Sequence, residues 1–134
     1  MDLMRLAITG SFVILQCACA AINPPLSAPP GSNVTAARHN AEGIAHYEMG
    51  HWSIAKDHFT SAVEADPDLA EAHYNLGLAL DQLNLQSEAT THFKTAADLA
   101  PANSAIVQSS AYRSRTAPPS PSSYGTSGYG GMGY

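Results

Sequence analysis

Apolar positions recur with helical spacing through the middle of the chain. Ile44 and Tyr47, then Leu76, Leu80 and Leu83, mark stripes with the period of an amphipathic helix, about 3.6 residues per turn. Punctuation falls between the stripes. Gly50 follows Met49 where a helix can end in a left-handed residue, and Asn84 stands at the equivalent place. Asp66-Pro67 and Ala100-Pro101 stop the following segments, because proline lacks a backbone donor and pushes the preceding residue out of helical geometry. The pattern predicts helices over 36–49, 53–65, 70–83 and 87–99. A shorter one over 104–113 follows Asn103-Ser104 and carries Ile106, Val107 and Tyr112 among polar residues. Ser53 and Ser87 are expected to cap the second helix of each pair, and Asp68-Leu69-Ala70-Glu71 reads as a capping box.

The elements repeat with a period of 34 residues. Gly43 recurs as Gly77, Ala45 as Ala79, Ala55 as Ala89, Phe59 as Phe93, Ala62 as Ala96 and Pro67 as Pro101. The histidines keep the same step, His39 to His73 and His58 to His92. Such a period marks stacked helical pairs, each burying its apolar face against its neighbours. A glycine in mid-helix costs about 1 kcal/mol against alanine, so Gly43 and Gly77 imply a second helix packed too closely for a side chain. Ala55 and Ala89 would supply the small facing surface.

These residues resemble the tetratricopeptide repeat family. Gly43, Ala55, Phe59, Ala62 and Pro67, then Gly77, Ala89, Phe93, Ala96 and Pro101, fall on that family's small, aromatic and proline positions over residues 36–101. The resemblance implies an all-α solenoid of two tandem antiparallel helix-turn-helix repeats, 36–67 and 68–101, with a capping helix over 102–115. Two repeats fall below the usual minimum of about three. The domain is therefore either marginally stable or completed by homodimerisation.

In that family the first helix of each pair lines a concave face that binds proteins. By position this face presents Asn40, Ile44, Tyr47 and Glu48, then Glu71, Tyr74, Asn75, Leu78 and Asp81. The tyrosines suit anchoring of an extended peptide or a partner helix, or else ordinary packing between units, and Asn40 and Asn75 suit hydrogen bonding to a peptide backbone. The lysines and arginines of the family's carboxylate-clamp subgroup are missing from these positions.

The termini differ in kind. Residues 1–20 combine Arg5, the apolar run Phe12-Val13-Ile14-Leu15 and the small-residue site Ala18-Cys19-Ala20, as an export signal does. The leader is either cleaved after Ala20 or, as in bacterial lipoproteins, lipidated at Cys19. The implied location is periplasmic, or lipid-anchored in the bacterial cell envelope with Cys19 as the membrane tether. Cys17 and Cys19 are the only cysteines, so the repeats hold no disulfide. Residues 21–35 read as a Pro-rich linker, an extended spacer that packs into no core. Residues 116–134 read as a disordered Pro/Ser/Gly/Tyr-rich tail in which Tyr124, Tyr129 and Tyr134 recur every five residues.

A net charge of −5 argues against nucleic acid and anionic lipid as partners. His39, Glu42 and His46 share one helical face, but no further ligand is identifiable by spacing, so a polar terminal face and no metal site is the expectation. His58 and His92 are expected at the surface. No nucleophile elbow or phosphate loop occurs, and neither a cofactor nor catalysis is expected. The sequence thus reads as an exported adaptor or scaffold that binds a protein or peptide, partner unnamed. The alternative is a self-assembling structural protein using repeat stacking and the Gly/Tyr tail.

Overall fold

The repeat governs the local structure. A computed structural model describes residues 23–118; the leader, with Cys17 and Cys19, and nearly all of the C-terminal tail lie outside the described residues. Among the described residues there are six helices and no strand. They are α1 (Val34–Glu48), α2 (Trp52–Ala65), α3 (Ala70–Gln82), α4 (Gln86–Leu99), α5 (Ser104–Val107) and α6 (Ser110–Thr116). The single terminal helix expected over 104–113 is two, because Ser109 turns extended and caps α6 through its side chain, which accepts from Tyr112 N–H.

α1 pairs with α2 and α3 with α4 as antiparallel hairpins, and α2 packs on α3 to stack them. Both hairpins turn in the same way. Gly50 at φ 78° and Asn84 at φ 61° end the first helices, and the N–H groups of His51 and Leu85 reach back to His46 and Leu80 carbonyls at 2.9 Å. This closure satisfies carbonyls the helix leaves unpaired. It brings His51 and Leu85 into the cap positions, so Ser53 and Ser87 lie inside their helices and cap nothing. Nor is there a capping box before α3. Buried Leu69 holds the cap position, Asp66 Oδ1 accepts from Asp68 N–H, and Glu71 turns to Asn103.

Within each hairpin a phenyl ring stands over a glycine. A Cβ on Gly43 would lie 2.5 Å from a Phe59 ring carbon, and one on Gly77 would lie 2.7 Å from Phe93. Phe59, Phe93, Ala55, Ala89, Ala62 and Ala96 are fully buried. The close approach inferred from the glycines is therefore made by the ring, with the alanines around it. α3 is the most enclosed element, every residue from Ala70 to Leu80 except Glu71 being buried. Its Leu76 and Leu80 pack inward where α1 has Glu42 and His46, since no helix among the described residues precedes α1 to cover that face.

The histidines are not surface residues of the second helices alone. In the second hairpin His73 Nδ1 lies 3.0 Å from His92 Nδ1, and His73 Nε2 lies 3.0 Å from the Pro67 carbonyl. A carbonyl only accepts, so His73 carries its proton on Nε2 and takes one hydrogen bond from His92 Nδ1–H. Burial, aided by His73 and opposed by Glu88, holds His92 below the usual imidazole value.

Two outcomes are expected. Gly77→Ala should destabilise the domain by about 1–3 kcal/mol despite alanine's better helix propensity, and Phe93→Leu should relieve part of that loss. Chemical denaturation of the single and double variants measures it; a more stable Gly77→Ala would show that the ring yields. Acidification should also destabilise. The unfolded chain takes up the His92 proton more readily, so this contribution is complete above about pH 6.5 and is lost as pH falls below it. His92→Asn, which keeps a donor, should flatten the dependence of melting temperature on pH in that window.

Candidate functional site

The inner faces of α1 and α3 form a groove, and an extended stretch of the chain itself lies in it. Pro24 and Pro25 have no N–H to leave unpaired, and the first free donor after them belongs to Leu26. That N–H donates to Asn75 Oδ1 at 2.7 Å. The Leu26 carbonyl accepts from Asn75 Nδ2 at 2.7 Å and from Asn40 Nδ2 at 2.9 Å. Asn75 Nδ2 also donates to Asn40 Oδ1 at 2.8 Å. One amide thus pairs with both polar groups of a single backbone residue, as a neighbouring strand would, and the second amide locks its orientation. Asn40 is 1 % exposed and Asn75 0 %, so both depend on these bonds.

The stretch is fixed at its other end and by its side chain. Asn23 Oδ1 accepts from Ser110 Oγ at 3.0 Å and from Ala111 N–H at 3.3 Å. Leu26 packs against the main core. A turn at Pro29–Ser32, closed by two hydrogen bonds to the Pro29 carbonyl, then leads into α1, whose first N–H groups Asn33 caps. Residues 23–33 are therefore no free spacer. Their prolines prevent regular structure but leave the Leu26 carbonyl and N–H for side chains to bind.

Two hollows flank the stretch. One of about 240 Å³ lies between Pro24, Leu26, Tyr74 and the α5–α6 cap. The other, about 460 Å³, is lined by Pro24, Pro25, Tyr47, Glu48, Met49, Gly50 and Trp52. Tyr47 meets Trp52 edge to face at 4.8 Å between ring centres, and Tyr74 lies tilted against Phe93 at 5.7 Å. Burial pushes both phenols above their usual value, so they stay neutral and serve as walls.

The residues assigned to the concave face divide accordingly. Asn40 and Asn75 hold the backbone in the groove; Tyr47, Glu48 and Tyr74 line the hollows. Ile44 and Leu78 belong to the core and its margin. Glu71 Oε1 accepts from Asn103 Nδ2 at 3.1 Å and so ties α3 to the cap. Asp81 is paired with Arg115, which α6 brings across from 34 residues away. Position alone did not place that cation beside α3. Leu26, Asn23 and Ser109 were also missed, and an isolated leucine among prolines was the one signal that could have drawn notice.

An array of helical hairpins with a groove on its first helices defines a repeat module of the interaction type. The tetratricopeptide repeat family model matches residues 40–104, which supports a protein of that family. Repeats of this family are generally non-catalytic modules for binding proteins. No curated protein matches the chain. Among the described residues no helix is long and apolar enough to cross a membrane.

Asn75→Ala should cost about 1–3 kcal/mol, because it orphans the Leu26 N–H and removes the partner of Asn40. Amide hydrogen exchange at Leu26 should rise far more than at Phe93. Unchanged protection at Leu26 would show that the stretch is held by packing alone.

Proposed function

We propose that the chain is an interaction adaptor whose groove binds an extended, proline-containing apolar peptide by its backbone, and that residues 23–26 occupy this groove in the absence of a partner. The observation that carries the reading is the paired hydrogen bonding of Leu26 N–H and C=O by Asn75, supported by Asn40. Backbone pairing is tolerant of sequence, and specificity then rests on the leucine site and the two flanking hollows. Neither hollow is lined by lysine or arginine, and Arg115 is engaged by Asp81. This favours an internal peptide segment over a C-terminal carboxylate. The leader-like features of residues 1–20 support a role outside the cytoplasm, in the cell envelope; loss of the leader from protein recovered from cells, read by mass spectrometry, would test that part.

A tethered segment competes at an effective concentration of about millimolar, so a peptide added in trans must overcome it. A labelled peptide with the sequence of residues 22–31 should bind the intact chain weakly and the Leu26→Asp variant at least about tenfold better. Adding Asn75→Ala to that variant should abolish the gain. Binding indifferent to both changes would remove the groove reading.

A further inference from the structure

The 34-residue period places a histidine on the first helix of each hairpin opposite one on the second, but the two pairs have different surroundings. In the second hairpin His73 and His92 bond to each other, and Leu76 fills the neighbouring position. In the first, that position is Glu42. Its Oε2 lies 3.3 Å from His39 Nδ1 and 3.2 Å from His58 Nδ1, and one ligand atom from each of the three residues lies within 4.8 Å of the others. His39 Nδ1 is buried and makes no hydrogen bond to any described residue.

We propose that His39, Glu42 and His58 form a site for a divalent transition cation, zinc foremost, that staples α1 to α2. Zinc bonds of about 2.0–2.1 Å set tetrahedral ligand atoms about 3.3 Å apart, which is the spacing of both nitrogen–oxygen gaps here. Two imidazoles and a carboxylate suit zinc and its neighbours rather than magnesium or calcium, and three protein ligands leave a fourth position to water. The sequence offered His39, Glu42 and His46 along one helical face but no further donor. His58, brought over by the hairpin, is that donor, and His46 stacks on its ring at 5.2 Å without entering the cluster.

Arg38 opposes the ion. Its guanidinium donates to Glu42 Oε1 at 2.8 Å and lies 3.1 Å from His39 Nε2. A guanidinium only donates, so in this arrangement Nε2 accepts and the His39 proton sits on Nδ1. Metal at Nδ1 moves that proton to Nε2, with no net release, and turns one arm of Arg38 outward. The Arg38 side chain is 57 % exposed and free to do so. Its bond to Oε1 persists, orienting the carboxylate from outside the coordination sphere. The same bond holds the Glu42 carboxyl below its ordinary value, so the ligand is charged without the ion.

The test uses the untagged full chain with Cys17→Ser and Cys19→Ser, which silences the only thiols. Calorimetric titration should find one zinc ion per chain, and zinc but not magnesium should raise the melting temperature by several degrees. Glu42→Gln and His58→Ala change partly exposed side chains, so both variants should fold with unchanged helicity. Each should weaken zinc binding at least about tenfold and abolish the shift. His92→Asn should leave both intact. No shift with zinc, or binding that survives Glu42→Gln and His58→Ala, or binding lost only in His92→Asn, would overturn the assignment.

Discussion

The contact of a phenyl ring with a bare helix backbone sets the spacing of everything else. Phe59 on Gly43 and Phe93 on Gly77 draw each second helix onto its first, and the buried alanines beside them admit the approach. Burying a phenylalanine side chain is worth about 1.5–3 kcal/mol, more than the roughly 1 kcal/mol that glycine costs a helix. The close hairpin then fixes which residues of the first helices can face one another. Asn40 and Asn75 meet at 2.8 Å because α1 and α3 lie side by side on the inner surface, although the two residues are 35 apart and so are not equivalents in the repeat.

That offset explains what sequence could and could not reveal. The helices, the left-handed ends at Gly50 and Asn84, and the ring-facing glycines follow from local chemistry repeated at a fixed step, and each was legible. The serine caps were misplaced by two residues, because the hairpin closure and not the side chain decides where α2 and α4 begin. The break at Ser109 escaped because its alternatives, one helix or two, use the same residues with similar propensities. Long-range pairings were beyond periodic reading altogether. Leu26 to Asn75 spans 49 residues, Asn23 to Ala111 spans 88, and neither follows from a spacing rule.

Composition misled most at residues 23–33. A Pro-rich stretch does not form its own ladder, yet those prolines reduce its freedom before it docks, which lowers the entropy lost on ordering. Few donors also mean few groups to satisfy. From Pro24 to Leu26 the one N–H is that of Leu26, and Asn75 takes it up, whereas an ordinary extended strand would leave several N–H groups unpaired against a helical surface. The groove is therefore matched to the proline-containing stretch that lies in it.

The histidine seams show how one repeat can diverge without loss of the fold. Both hairpins need a polar pair where the two helices meet at the edge of the core, and both have histidines there. In the second hairpin the neighbouring position faces α2 and must be apolar, so Leu76 leaves the imidazoles only each other and the Pro67 carbonyl. In the first, nothing described covers α1, and the position is open to a carboxylate. Glu42 can stand there because water and Arg38 satisfy it. The end of the array is thus the place where a charged ligand set can assemble against a packed hairpin, and the same exposure that makes the first unit irregular as a packing surface makes it accessible to an ion from solvent.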